Sequence, residues 1–353
     1  MTSAVQQTFP LGAQWPTIDP FLFVAHHHDD YPPGRPDLGP AASLAGRQIG
    51  SDFSATDGWS MYHGDVVPGF PQHPHRGFET ITYVRSGLID HADSMGATAR
   101  FGRGDTQWMT AGRGVQHAEM FPLLRQDAPN PAELFQIWLN LPAADKMVEP
   151  YFTMLWAEST PTVIEKDADG RRCEITVIAG RFGDASATPP PPDSWAAKAE
   201  ADVAVWHLDF EARAELSLPA ADSSLPGADS SLPGGGSDTQ RVLYVFEGSS
   251  VTIDGELVPA GTGALVDASV DLTIVAGDGP VGVMMLQGRP IGEPVARYGP
   301  FVMNTRDEVQ QAFTDYQATQ FGGWPWPDAA PNHGPDKGRF ALHADGRVEN
   351  RDS

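Results

Sequence analysis

Cysteine is almost absent from this chain: Cys173 is the only one in 353 residues, so no intrachain disulfide can form. A reducing compartment is the natural setting for such a chain, and we expect a cytoplasmic protein. Basic residues are also scarce, since 23 Lys and Arg face 46 Asp and Glu, for a formal net charge of −23. That balance disfavours direct binding of nucleic acid, an anionic membrane surface or a strongly anionic substrate.

Long apolar runs are missing as well. No stretch of 18 apolar residues occurs, so no membrane span is expected. Residues 1–19 lack a charged segment followed by an apolar run, and we expect no signal peptide. Glycine (37) and proline (32) are abundant, which favours a turn-rich β protein over a helical bundle.

Short alternating runs separated by glycine-centred turns recur along the chain. Residues 79–84, 107–110 and 135–139 belong to a first series, and a second series extends from residues 173–180 to 281–286. Such spacing is typical of a β-sandwich or β-barrel. The sequence therefore predicts an all-β fold with two β domains in tandem.

Two segments near the end of the chain interrupt this pattern. Thr305 and Glu308 form a capping-box pattern, which predicts a short C-terminal helix. This helix would carry Val309, Ala312, Phe313 and Tyr316. The tail from Gly322 is polar and rich in Pro and Gly, which is typical of a partly disordered segment.

Two further segments have an open role. The seven residues 221–227 are repeated at 228–234, and this Ser/Pro/Gly composition predicts a flexible insertion within 216–240. A neutral surface insertion is favoured over a partner-docking loop in residues 221–238. The run His26-His27-His28 precedes Asp29 and Asp30 and could bind metal, although a solvated loop is the preferred interpretation.

The most informative motifs are His73-Pro74-His75 and His117-Ala118-Glu119. One residue separates the members of each pair, and residues at i and i+2 of a strand point to the same face. Two facing strands would thus aim three imidazoles and one carboxylate at one point. These donors suit Fe, Ni, Cu, Mn or Zn, and on an octahedral ion they leave two open positions.

Other polar residues near these motifs have different predicted roles. Glu79 lies four residues after His75 and, if the strand stays regular, on the same face; it is predicted to support a ligand or act as a base, and less readily to bind the metal. Gln72 and Gln116 alternate away from the histidines and are predicted to face outward or bond to the backbone. His91 is predicted to be an ordinary polar residue beside a turn.

Five apolar residues lie close to the motifs in sequence and could form the walls of a pocket for a planar aromatic substrate. Core packing is the default interpretation for each of them taken singly. They are Phe70, Phe78, Met109, Met120 and Phe121.

These segments closely resemble the pirin family, a branch of the cupin superfamily. The matching segments are residues 73–80, 107–114, 117–120 and 299–305. The resemblance implies two cupin domains with metal only in the first, and His73, His75, His117 and Glu119 as its ligands. It also implies one divalent transition metal, usually iron. The domains would be residues 1–150 and 173–300, followed by a C-terminal helix and tail at 301–353.

The function implied by this resemblance is that of a quercetin 2,3-dioxygenase, since bacterial pirin-like proteins are associated with that activity. A flavonol-like phenol and O2 would be the substrates, and Glu119 would accept the phenol proton, with Glu79 as the fallback base. Eukaryotic relatives are associated with transcriptional co-regulation. The alternative is thus a metal-sensing or redox-sensing protein that docks on a protein partner.

Overall fold

A computed structural model describes residues 3–221 and 238–352, so most of the repeated insertion lies outside the described residues. Strand accounts for 46% and helix for 9%, which confirms the all-β prediction. The chain divides into two compact units. The C unit comprises the described residues of Met1–Ala25 and Glu158–Gly292, and the N unit those of His26–Ala157 and Glu293–Ser353. The predicted domains, residues 1–150 and 173–300, are each one continuous segment. Each compact unit of the structure instead combines two segments that are distant in sequence.

Short strands account for most of the described chain. The strands up to residue 179 are β1 (Val5–Pro10), β2 (Gln14–Trp15), β3 (Phe21–Tyr31), β4 (Gly69–His75), β5 (Phe78–Ser86), β6 (Leu88–Asp93), β7 (Thr98–Gly102), β8 (Thr106–Thr110), β9 (Val115–Met120), β10 (Asn130–Asn140), β11 (Tyr151–Leu155), β12 (Thr162–Lys166) and β13 (Arg172–Ala179). The later strands are β14 (Arg181–Phe182), β15 (Ala185–Ser186), β16 (Ala204–Phe210), β17 (Glu215–Leu218), β18 (Gln240–Glu247), β19 (Ser250–Ile253), β20 (Glu256–Pro259), β21 (Thr262–Val266), β22 (Leu272–Ala276), β23 (Val281–Gly288), β24 (Ala296–Tyr298), β25 (Phe301–Met303), β26 (Phe340–Leu342) and β27 (Val348–Asn350).

The helical segments are few among the described residues, and none is long and apolar enough to cross a membrane. Helix α1 begins at Arg306, as the capping box predicts: Thr305 Oγ1 accepts the Glu308 amide, and the Glu308 carboxylate accepts the Thr305 amide. Val309 and Ala312 are buried. The helices are α1 (Arg306–Thr319) and the single 3-10 turns Thr56–Gly58, Ala157–Ser159, Trp195–Ala197, Ala199–Ala201 and Gln320–Gly322.

The C unit is a β-sandwich. One sheet has the strand order β1-β21-β18-β23-β16-β13-β12, and the facing sheet has the order β17-β22-β19-β20. Alternate residues of both sheets form one apolar core that includes Ile175, Trp206 and Met285. The N-terminal strand β1 completes the first sheet by pairing antiparallel with β21.

The N unit is a second sandwich, and it contains both histidine motifs. One sheet has the order β11-β8-β5-β10-β3, and the other has the order β27-β26-β7-β6-β9-β4. Its core includes Trp59, Phe101 and Trp156. Strands β4 and β9 are neighbours in the second sheet, so the two motifs lie side by side.

The tail beyond Gly322 is ordered, which corrects the expectation of partial disorder. Strand β26 pairs with β7, and β27 pairs with β26. The Arg100 guanidinium donates to the carbonyls of Gly334 and Lys337, and the Trp326 indole donates to the Asp93 carbonyl. The tail thus takes its hydrogen bonds from partners far away in sequence, which its local composition cannot reveal.

The histidine run His26–His28 lies within strand β3, so the expectation of a solvated loop is wrong. The strand spans eleven residues and begins with Phe21, which is buried. The ring of His26 stacks on Phe135 of β10 at a centroid distance of 4.4 Å. Apolar contacts on both faces therefore keep these polar residues in an extended strand.

Candidate metal centre

Three imidazoles meet between strands β4 and β9. His73 is the register partner of His117, and His75 lies two residues further along the same face of β4. One nitrogen from each ring lies within 4.8 Å of one nitrogen from each of the other two. The i, i+2 spacing thus produces the convergence that the sequence predicts for the three histidines.

The ring nitrogens of this cluster fit a metal ion. The Nδ1–H of His73 donates to the Pro71 carbonyl at 2.8 Å, so Nε2 carries the free lone pair. Neither ring nitrogen of His117 has a hydrogen-bond partner among the described residues. The ring nitrogens of His75 have no partner there that meets both the distance and the angle of a hydrogen bond. Buried polar atoms without partners are costly, and a shared cation would satisfy all three rings.

Burial keeps these imidazoles neutral. It lowers the pKa of His73 to about 4, with the Pro71 carbonyl opposing the change. Burial, and then the neighbouring histidines, hold the pKa of His117 well below its usual range. For His75 the same two causes act in the same direction, against a weaker opposing effect of the Pro300 backbone. Neutral rings are the state that binds a metal.

Glu119 lies beside the three histidines. Its Oε2 is 3.8 Å from His117 Nε2, although the carboxylate is not within 4.8 Å of all three rings. Gln136 Nε2 donates to this carboxylate at 2.7 Å and Thr82 Oγ1 at 3.3 Å. Burial raises the pKa of Glu119, while His91, Gln136 and Thr82 oppose that change. The carboxyl group is thus held next to the cluster with an increased affinity for a proton.

Gln136 is a site residue that the sequence analysis does not identify. The Trp138 indole N–H donates to Gln136 Oε1 at 3.2 Å, so the amide N–H of Gln136 must face Glu119. Trp138 itself contacts His75 at a ring distance of 5.3 Å. The signal is the alternation of residues 135–139, which puts Gln136 and Trp138 on one face of β10.

Glu79 is not brought to the histidines, and the expectation that it shares the face of His75 is wrong. Strand β4 ends at His75 and β5 begins at Phe78, because the chain turns at Gly77 with φ +85°. A Cβ at Gly77 would collide with the Val302 carbonyl. The Glu79 carboxylate accepts the Thr110 hydroxyl at 2.6 Å.

Alternation along β5 explains the placement of Glu79. Phe78 contacts the His75 ring at 5.1 Å, and Thr82 bonds to Glu119, so the even-numbered residues face the cluster. Glu79 is odd-numbered and points to the opposite face of the strand.

His91 is also placed differently from the prediction. It lies within β6 with no exposure, opposite Glu119 in the strand register, and its ring is 5.6 Å from that of His117. Phe152 stacks on its other side at 5.3 Å. His91 is therefore part of the buried surroundings of the site rather than a turn residue.

Gln116 bonds to the backbone, in agreement with its prediction. Its Nε2 donates to the carbonyls of Gln320 and Gly323, and its Oε1 accepts from Gln72. Gln116 and Gln72 thus connect β9 and β4 to the turn that follows α1.

Of the five residues predicted to form an apolar wall, two lie beside the histidines and three pack in apolar clusters. Phe78 stacks on Trp138 at 3.9 Å beside His75, and Phe70 lies 6.3 Å from the His73 ring. Met120 instead packs with Leu38 and Val67, away from the cluster. The remaining two are core residues: Met109 packs with Ala111 and Val115, and Phe121 joins the main core.

Strand β4 provides the partly exposed side of the cluster. His75, His117 and Glu119 are buried, whereas residues 70–74, which include His73, are partly exposed. Two other cavities of the N unit, of about 300 and 510 Å3, are not lined by any of the three histidines. An exogenous ligand would therefore approach beside His73 and Phe70.

Comparison with known proteins relates this chain to one family. A sequence model of the Pirin family matches residues 3–139, and one of the pirin C-terminal cupin domain matches residues 225–322. A Pseudomonas aeruginosa protein named "Putative quercetin 2,3-dioxygenase" is 34% identical over 253 residues, covering 72% of this chain and 79% of the relative. Human pirin is 33% identical over 274 residues, covering 74% and 80%.

A solved structure is similar throughout the fold. It is a quercetin 2,3-dioxygenase from Acinetobacter baumannii, with a TM-score of 0.65 and 23% identity, covering 90% of this chain and 98% of the other. At that identity the likeness concerns the fold alone.

Proposed function

Because the chain belongs to the pirin family, we propose that it is a metal-dependent dioxygenase that cleaves a flavonol-like phenolic substrate. The observation that carries this proposal is the cluster of three neutral imidazoles with Glu119 beside it. Three imidazoles and one carboxylate match the donor preference of Fe, Ni, Cu, Mn or Zn, and we take iron as the first metal to test.

His73, His75, His117 and, after a small movement, Glu119 would hold the ion. When bound, the ion would supply a Lewis-acid centre that polarises a phenolic hydroxyl. The His73–Pro71 hydrogen bond fixes the tautomer and the ring orientation that ligation requires. Phe78 and Trp138 surround His75 with aromatic rings and exclude water from that side.

Glu119 would accept the proton of the substrate hydroxyl. Its carboxylate is buried, and burial raises its pKa, which makes it a better base than an exposed glutamate. Gln136 and Thr82 hold it in position by donating hydrogen bonds. Glu79 is not assigned this role, because its side chain bonds to Thr110 on the other face of β5.

A planar aromatic ring would enter beside His73, where the partly exposed Phe70 offers a face for stacking. The ring of Phe70 also contacts Tyr62 and His27, so this wall is aromatic on several sides. The net charge of −23 is consistent with a substrate that is neutral in solution and loses its proton only at the site.

The test is quercetin consumption in air by protein loaded anaerobically with Fe2+, followed by absorbance and by release of carbon monoxide. We expect turnover that exceeds the rate with the same concentration of free metal, and its loss in His75→Ala. Metal content is measured in parallel, so that a lost ion is distinguished from a lost reaction.

Consumption no faster than that of His75→Ala, repeated with Ni2+, Mn2+ and Cu2+ and with several phenols, would refute the dioxygenase proposal. If the wild-type protein nevertheless retains one ion that His75→Ala does not, the metal centre stands. The metal-sensing alternative is then the one to pursue.

A further inference from the structure

A second group of side chains that could hold a metal ion lies on strand β3 and its neighbour β10. One ligand atom from each of His26, His28 and Glu133 lies within 4.8 Å of the others. His26 and His28 have the same i, i+2 spacing as the buried motifs, and Glu133 belongs to β10, the neighbouring strand of the sheet. His28 is exposed, whereas His26 and Glu133 are partly buried.

Strand alternation separates this group from the buried cluster. The ring of His27, between the two histidines, contacts Tyr62 and Phe70 on the side of the buried centre. His26 and His28 therefore point to the opposite face of β3, where His26 stacks on Phe135. An ion bound there would not share a ligand with the buried centre.

We propose that His26, His28 and Glu133 form a second binding site for a divalent transition-metal ion, of which Zn2+ is the first to test. Two imidazoles and a carboxylate favour Zn2+, Ni2+ or Cu2+ over Ca2+ or Mg2+, which prefer all-oxygen sites. Three protein ligands leave at least one position open to water at the exposed His28 side.

The distances within the group suit a shared ion. His26 Nε2 lies 3.0 Å from Glu133 Oε1, joined in the metal-free protein by a hydrogen bond. Two ligands bound to one ion at roughly 2.0–2.2 Å are about 3 Å apart at a right angle and about 3.5 Å apart at the tetrahedral angle that Zn2+ favours. The ion would thus take the position of the hydrogen between Nε2 and Oε1, with little movement of either side chain.

Arg85 modulates the affinity of this site. Its Nη1 donates to both oxygens of Glu133 at 2.9 Å, which fixes the carboxylate beside His26. The guanidinium also repels a cation on the same carboxylate. The arrangement therefore predicts a site that is well positioned but weakened by one neighbouring positive charge.

The experiment is calorimetric titration of metal-free protein with Zn2+. We expect two equivalents for the wild-type protein, and one each for His28→Ala and His75→Ala. The double variant His28→Ala/His75→Ala should bind no Zn2+ over the same concentration range.

Two further variants make the test specific. Arg85→Gln should tighten the second equivalent severalfold, because it removes the competing charge. Asp30→Asn is the matched control. Asp30 is an exposed carboxylate further along the same face of β3 and lies outside the group, so this variant should still bind two equivalents of Zn2+.

Zn2+ binding to the wild-type protein that is undiminished in both His28→Ala and His28→Gln would overturn the proposal. His28 is exposed, so neither variant should impair folding. This readout is independent of dioxygenase activity, and either proposal can fail while the other stands.

Discussion

Glu119 and Glu79 are both buried carboxylates of the N unit, and their neighbours give them different chemistry. Glu119 adjoins His117 and accepts hydrogen bonds from Gln136 and Thr82, whereas Glu79 accepts one from Thr110 across the sheet. The first is the carboxylate that we propose exchanges a proton with the substrate. The second is separated from it by the backbone of β5.

Glutamine substitutions should distinguish these two carboxylates. We expect Glu119→Gln to reduce kcat/KM for quercetin by roughly 100- to 10,000-fold, the range for loss of a general base. Glu79→Gln keeps the size of the side chain and an oxygen that can accept the Thr110 hydroxyl, so kcat/KM should change little. Steady-state kinetics at equal metal content is the measurement; a comparable loss in Glu79→Gln would contradict this assignment.

Asp29 offers a pH-dependent prediction at the same scale. It accepts hydrogen bonds from the Tyr62 hydroxyl and the Ser60 amide, but burial raises its pKa from 3.8 to about 6. The native state therefore binds this proton more tightly than the unfolded chain. This tighter proton binding stabilises the native state fully below pH 3.8, and the stabilisation is lost as the pH rises through 6. Above pH 6 the ionised carboxylate lowers the unfolding free energy by about 2–3 kcal/mol.

Asp29→Asn should remove that cost. We expect a gain in unfolding free energy of up to about 2 kcal/mol at pH 8 that disappears near pH 4. Urea unfolding at both pH values measures it. Asp30→Asn is the control, since an exposed neighbour should change the free energy by less than about 0.5 kcal/mol. An equal gain at pH 4 and pH 8 would show that the charge of Asp29 is not responsible.

At the scale of elements, strands and helix could largely be predicted from sequence, whereas the placement of Glu79 and of the tail could not. Periodicity is local, so it identifies the strands and the pairs His73/His75 and His117/Glu119. The break at Gly77 depends on the approach of the Val302 carbonyl, which lies far away in sequence. The order of the tail depends likewise on partners such as Arg100.

Arg100 provides a test of how the tail is held. Its guanidinium forms a buried bidentate ion pair with Asp90 at 2.6 and 2.7 Å, in addition to its two bonds to tail carbonyls. Arg100→Leu leaves that carboxylate buried and unpaired, at an expected cost of about 3–5 kcal/mol. Amide hydrogen exchange should also show loss of protection in β26.

Arg103→Leu is the matched control for Arg100→Leu. Arg103 is exposed and its nearest carboxylate, that of Asp352, lies 3.8 Å away. The change in unfolding free energy should stay below about 0.5 kcal/mol. If Arg100→Leu behaves like this control, the buried ion pair does not hold the tail.

At the scale of the whole molecule, the two compact units predict unequal responses to chelation. A ligand that binds only the native state adds RT ln(1 + [L]/Kd), or about 4 kcal/mol when the free metal is 1,000 times Kd. The cluster of His73, His75 and His117, which we propose holds the metal, belongs to the N unit. Calorimetry should therefore show that a chelator lowers the N-unit transition and leaves the C-unit transition in place.

His75→Ala is the variant that checks this assignment. Its N-unit transition should already be low and should respond much less to the chelator than that of the wild-type protein. A chelator-induced shift of both transitions, or an undiminished shift in His75→Ala, would place the stabilising ion elsewhere.

The return of the chain to the N unit has a consequence for its biosynthesis. The ribosome makes β7 early, whereas β26, which covers its edge, comes after the entire C unit. Throughout that interval the nascent sheet keeps an unpaired edge, and the guanidinium of Arg100 lacks its tail carbonyls. The N unit can therefore reach its final form only after β26 has been made, which is later than the last residue of the C unit.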